Sequence, residues 1–220
     1  MESKPRTQLE RSATTRSALV AAARGLWAAR GYAAVGTPEI ALKAGVTRGA
    51  MYHQFADKAA LFLAVAEEVE ADLTRRLGEE VIAFGAQDPA AALHAATDGW
   101  LAACELPEVR QILLIDGPVV LGWAGFRDMT QRHGLGMTEA LLQAGMDAGR
   151  LTMGPTRPLA HVLIGAFDEA AMYIATAEDR VAARAEVAGV LHGLLDGLMG
   201  EPRASGDSPP RPAKGADSPH

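Results

Sequence analysis

The chain has 220 residues and a formal net charge of −6, and 49% of it is hydrophobic but only 5% aromatic. It is long enough to bury a core without staples, and its apolar content, mostly Ala, Leu and Val, favours helix over strand. A single cysteine, Cys104, excludes an intrachain disulfide and a thiolate metal cluster.

Residues 1–15 read as a flexible basic arm. The polar start MESKPRTQLERSATTRS has no signal-peptide core, and no later stretch runs about 18 apolar residues without a charge, so a cytoplasmic chain with no membrane partner is expected. From Arg16 to Arg30, Leu19, Ala22, Ala23, Leu26 and Trp27 follow helical spacing and stop at Gly31, a natural C-cap. Thr37-Pro38-Glu39 reads as an N-cap followed by proline at the first helical position, and Ile40 begins a short second helix that ends at Gly45. Thr47 caps a third helix that ends near Asp57, itself a cap for the next. Two short helices joined by a tight turn make a helix-turn-helix, whose second helix enters a DNA major groove.

From Asp57 onward Leu61, Val65, Val69, Leu73, Leu77 and Val81 recur every fourth residue, predicting one helix of about 28 residues and roughly 40 Å. Gln87-Asp88-Pro89 breaks it, and helices follow around 90–104, 107–115, 118–131 and 134–148. Pro158 opens a helix carrying Leu159, Val162, Leu163, Ala166, Phe167, Ala170, Tyr173 and Ile174 on one face. A last helix carries Val187, Val190, Leu191, Leu194, Leu195 and Leu198. The tail, residues 201–220, has five prolines and is expected to be disordered.

Charge divides this chain. Residues 1–58 hold nine Lys and Arg against four acids, a balance of +5, which leaves −11 for the remainder. Only the basic end suits a phosphate backbone. At about 100° per residue, Arg48, Gly49, Tyr52 and His53 share one side of the third helix, while Met51 and Phe55 share the other and anchor it. Arginine bonds guanine bidentately, Tyr and His reach phosphates or base edges, and glycine admits close approach. Position specificity is assigned to Arg48 and His53, and Thr37 and Lys58 are placed for phosphates. A solvated helix face is the ordinary reading of such residues, but it leaves the local charge unexplained.

AARGLWAARGY, EIALKAGVTRGAMYHQF and DKAALF together resemble the N-terminal domain of the TetR/AcrR family of transcriptional regulators, over residues 16–62. The resemblance implies operator contacts from Thr37, Thr47, Arg48, Gly49, Tyr52, His53 and Lys58, with Tyr52 and Lys58 on phosphates. It departs at Gln54, where members commonly carry His, and near Val35-Gly36, where they carry Thr or Ser. It also implies an all-α fold: a helix-turn-helix domain (16–58) joined by a long helix to a helical ligand-binding and dimerisation domain (59–200).

In that second half ILLIDGPVVLGWAGFRDM resembles some members' C-terminal domain and puts Trp123, Phe126 and Arg127 on or near one helix. With the scarce large residues Trp100, Phe167, Tyr173, Met137 and Met172 they are candidates for a pocket lining, though each is as readily core. His133, His161 and Asp168 are candidate polar contacts. Cys104 reads as a buried small hydrophobe.

Gly189, Gly193 and Gly197 repeat every fourth residue on the last helix. Each glycine costs about 1 kcal/mol against alanine in a helix, so close approach of another helix is expected. By the resemblance this is a dimer interface formed by the last two helices, with Leu163, Phe167, Ala170, Val190 and Leu194.

His94, His133 and His161 lack helical metal-pair spacing, and neither a nucleophile elbow nor a glycine-rich phosphate loop is present. Neither a metal nor a cofactor is expected. The expected function is a non-enzymatic, homodimeric repressor on a palindromic double-stranded DNA operator, released by a small apolar or amphipathic effector. A helical-bundle enzyme or ligand carrier whose head only resembles a DNA-binding fold is the alternative, and a protein-binding helical module a third.

Overall fold

A computed structural model of the chain describes residues 8–85, 88–151 and 154–199. The proline-rich tail and the first seven residues, part of the expected arm, lie outside the described residues.

Helix α1 (Gln8–Arg30) begins eight residues before the expected Arg16. Hydrophobic periodicity missed this extension because Leu9 is solvent-exposed and the turn docks through polar contacts. Ser12 exchanges hydrogen bonds with Gln54, and the Arg16 guanidinium lies 4.3 Å from the Phe55 ring centroid. Residues 8–15 are therefore helix rather than flexible arm.

Helix α2 (Thr37–Lys43) is preceded by Gly36 at the N-cap, so Thr37 is its first helical residue and no side chain caps it. This corrects the expected Thr37 cap, and the Thr37 hydroxyl turns instead to Tyr52. Helix α3 (Arg48–Gln54) is capped by Thr47, whose Oγ1 accepts from the Ala50 amide at 3.1 Å. The long helix α4 (Lys58–Gly85) starts where Asp57 Oδ1 accepts from the Ala60 amide at 2.7 Å.

Helix α5 (Pro89–Ala103) is capped by Asp88, which accepts from Ala90 and Ala91. A π-helical segment, Val109–Asp116, runs directly into α6 (Gly117–Asp147). The expected interruption near residues 132–133 is not there. The break falls at Gly122, whose φ of 69° and ψ of 160° only glycine adopts without strain. Helices α7 (Thr156–Thr176) and α8 (Arg180–Leu198) complete the bundle, and Asp179 caps α8 through the Val181 and Ala182 amides.

Trp27, Tyr32 and Phe62 pack with ring centroids 5.2–5.5 Å apart, at the crossing of α1 with α4. Around them one continuous core runs from Leu19, Ile40 and Met51 in the head to Ile112, Phe126 and Met129 in the body. Head and body thus share a core in which α1 packs against both α4 and the π segment. The span Val109–Asp147 and α7 reach a length and composition that could cross a membrane. Both pack within the bundle, and they bring Arg127 and Asp168 together.

Candidate nucleic-acid interface and ligand cavity

The turn between α2 and α3 is closed by Gly45 at φ 68° and by the Val46 amide, which donates to the Ala41 carbonyl at 3.0 Å. Any side chain at Gly45 would meet open space but a strained backbone. Met51 and Phe55 are buried and fix α3 to the core, leaving Thr47, Arg48, Gly49, Tyr52 and His53 exposed on one surface. This face carries a guanidinium, a phenol, an imidazole and a side-chain-free backbone, groups able to bond phosphates and base edges.

Arg48 and Tyr52 are paired, the guanidinium 5.7 Å from the ring centroid. The Tyr52 hydroxyl lies 3.3 Å from the Thr37 hydroxyl. That hydrogen bond, with a second from Arg48, lowers the Tyr52 pKa. Thr37 itself is only 8% exposed, and its hydroxyl is turned to Tyr52.

Lys58 is also tied into the head. Its Nζ donates to the Tyr32 carbonyl at 2.6 Å and sits 3.9 Å from the Tyr32 ring centroid, and burial lowers its pKa. It closes the end of α1 against α4. Gln54 faces α1, where Nε2 donates to Ser12 Oγ at 2.9 Å. It is a packing contact inside the head.

Two polar junctions join head to body. Asp116 Oδ2, at the end of the π segment, accepts from the Tyr32 amide at 2.7 Å and from Gln111 Nε2 at 3.3 Å. At the other end Arg24 of α1 binds Glu108 at 2.8 Å, Asp72 at 2.7 Å and Glu68 at 3.0 Å. These carboxylates, Glu108 foremost, raise the Arg24 pKa.

The body encloses a cavity of about 80 Å³ between α4, α5, α6 and α7. Leu73, Leu77, Leu93, Leu141 and Ile164 make its apolar walls, with Trp100, Met137 and Phe167 from the expected lining. A void of about 20 Å³ shares Glu70, Leu73, Trp100, Thr130 and Asp168 with it and is also lined by Phe126. Trp123 is 52% exposed and lines neither. Met172 and the His161 side chain do not line the cavity either. The Arg127 guanidinium is spent on the Asp168 carboxylate at 3.7 Å and the His161 carbonyl at 3.3 Å.

The sequence reading missed Glu70 and the threonines Thr74, Thr97, Thr130 and Thr138 of this wall. A signal existed for Glu70: its i, i+3, i+7 relation to Leu73 and Leu77 puts a carboxylate on the apolar stripe of α4.

A separate apolar groove between α7 and α8 is lined by Ala166, Ala170, Tyr173, Val187, Val190 and Leu194. Tyr173, Val190 and Leu194 are more than half exposed. Gly189, Gly193 and Gly197 are exposed as well, with no atom within 4 Å of an added Cβ. Leu163 and Phe167 instead turn inward, Leu163 into the core and Phe167 onto Trp100 at 5.4 Å.

Comparison with known proteins gives a consistent picture. Residues 19–65 match the profile described as bacterial regulatory proteins, tetR family, and residues 90–198 that of the tetracyclin repressor-like C-terminal domain. A TetR-family transcriptional regulator from Pectobacterium atrosepticum is 33% identical over 90% of this chain and all of its own, with a TM-score of 0.80. RolR in complex with resorcinol shares the fold at a TM-score of 0.68 and 20% identity, over 89% of this chain and 100% of that one. The HTH-type transcriptional regulator CymR of Pseudomonas putida is 41% identical over 76 residues, 34% of this chain and 37% of that relative's length.

Proposed function

Because the chain belongs to the TetR family of DNA-binding transcriptional regulators, and so is a regulator rather than an enzyme, we propose that it is a homodimeric cytoplasmic repressor that releases a palindromic operator when a small effector enters its body. The observation that carries this reading is the exposed set Thr47, Arg48, Gly49, Tyr52 and His53, held outward by buried Met51 and Phe55. Arg48 and His53 read base edges, and Tyr52, oriented by Thr37, bonds a phosphate.

Two copies present their α3 helices to successive major grooves, about 34 to 36 Å apart. The groove between α7 and α8 is the surface through which they pair, with Val190, Leu194 and the Gly189–Gly193–Gly197 ridge meeting their counterparts across a two-fold axis. Residues 59–200 form the effector-binding and dimerisation domain.

Induction follows from where the cavity walls sit. Glu70, Leu73, Thr74 and Leu77 belong to α4, the helix whose N-terminal turn packs against α1 beside the recognition helix. A ligand that widens the cavity displaces α4 and the π segment, and Lys58–Tyr32 and Asp116–Tyr32 carry that shift to the head. The ligand acts only through its preference for the displaced state. Operator affinity of the purified protein with and without a cavity ligand tests this: weaker operator binding is expected at saturation, and unchanged affinity overturns the induction step.

A further inference from the structure

Resting on the reading that this cavity is the effector's seat, we infer that the effector is a small protonated amine with an apolar body, its nitrogen held between Glu70 and Asp168.

The cavity wall holds two buried carboxyls that are short of partners. Asp168 is 8% exposed, and its Oδ2 has no hydrogen-bond donor, the nearest cation being Arg127 at 3.7 Å. Glu70 is 9% exposed on the same wall with no ion partner among the described residues. Of the wall's threonines, Thr97 donates to the Leu93 carbonyl at 2.8 Å and Thr138 to the Gly134 carbonyl at 3.1 Å, whereas the Thr74 hydroxyl donates to no group among the described residues. Thr130 stands between the Arg127 carbonyl, at 3.2 Å, and the Asp168 carboxylate, with one proton for the two. The Asp168 Oδ2 atom still lacks a donor, and an ammonium brings three.

Charge gives the same answer. Two carboxyls share the site with a single guanidinium, and a buried carboxylate without a cation is costly. Burial, and then the field of Asp168, push Glu70 up to about 8, so at neutral pH it holds a proton. Burial raises Asp168 to about 6 against the pull of Arg127. The Cys104 thiol, pushed up by burial and by both carboxyls, stays neutral. An ammonium replaces the Glu70 proton as the balancing charge, and one proton leaves for each amine bound. A neutral hydroxyl displaces none.

The remaining walls suit an organic body. Trp100 and Phe167, their ring centroids 5.4 Å apart, line the cavity with aromatic surface, and the leucines around them take hydrocarbon. The volume, about 80 Å³, is roughly half the ~150 Å³ that holds benzene in an apolar cavity. The ligand is therefore small, and binding widens its seat.

The test uses the full chain with benzylamine, phenethylamine, cyclohexylamine and isoamylamine, each beside its alcohol counterpart. Thermal shift ranks them, and calorimetry in buffers of different ionisation enthalpy counts protons. The amines should bind about tenfold or more tighter than the alcohols, the scale of one charge-assisted hydrogen bond. About one proton should be released near pH 7, and none from Glu70→Gln. Alcohols matching amines, no amine binding, or amine binding unchanged in both Glu70→Gln and Asp168→Asn each overturn the inference. An alcohol that binds and weakens operator binding overturns the cationic ligand but leaves the effector-responsive regulator standing. An amine that binds with proton release yet leaves operator affinity unchanged keeps the ligand class and overturns the regulatory reading.

Discussion

Replacing Glu70 with glutamine should make the protein more stable, and more so the higher the pH. Glu70 titrates at about 8 in the fold against 4.5 when free, chiefly because it is buried. Between those values the folded state holds a proton that the unfolded state has lost, so stability falls as pH rises through the window. Integrated from pH 5 to pH 8, the loss is roughly 3 kcal/mol. For a chain of this size each kcal/mol moves Tm by roughly 2–4 °C, so the wild type should lose roughly 6–12 °C against Glu70→Gln over that range. Glutamine keeps the size and an acceptor but cannot ionise. Circular-dichroism melts at fixed protein concentration at pH 5, 6, 7 and 8 make the comparison. Parallel wild-type and variant curves, or a variant less stable at pH 8, would refute the claim that Glu70 is an uncompensated buried acid.

The Lys58 contacts predict that Lys58→Ala lowers thermal stability by about 1–2 kcal/mol through a lost charged hydrogen bond, measured by denaturant unfolding, with little change in the salt slope of DNA binding. A slope reduced by about one unit would return Lys58 to the phosphate contacts. The double-mutant cycle Ser12→Ala with Gln54→Ala should show a coupling of about 0.5–1.5 kcal/mol in stability, whereas additive losses would mean that the two side chains do not meet in solution. Leu194→Glu places a charge in the α7–α8 groove and should yield monomers by sedimentation at micromolar concentration with helicity retained; a persistent dimer moves the interface elsewhere.

The parts legible in the sequence were those governed by local rules. Thr47 and Asp57 cap their helices because a short oxygen side chain before an apolar repeat has little else to do, and the every-fourth-residue stripe from Leu61 to Leu77 fixed α4 and its buried face. Met51 and Phe55 separated from Arg48, Tyr52 and His53 on helical geometry alone.

Long-range partners were not legible. The Lys58 bond to the Tyr32 carbonyl, 26 residues away, could not be foreseen, and Gln54 stayed ambiguous until Ser12 proved to be its neighbour. The early start of α1 is likewise held by long-range contacts to α3, whereas the break at Gly122 was hidden because Gly122 is one of 23 glycines. The cavity was half seen, since aromatic scarcity pointed to Trp100 and Phe167 but gave no weight to a glutamate on an apolar stripe.

Selection of genomic fragments by the purified chain, with a footprint on the enriched site, tests the central claim most directly. The account predicts a roughly palindromic site protected in two half-sites about one helical turn apart. Tyr52→Ala should weaken binding to all sequences alike, and Arg48→Ala should also relax base preference. No enriched fragment, or a footprint unaltered by both substitutions, would contradict it.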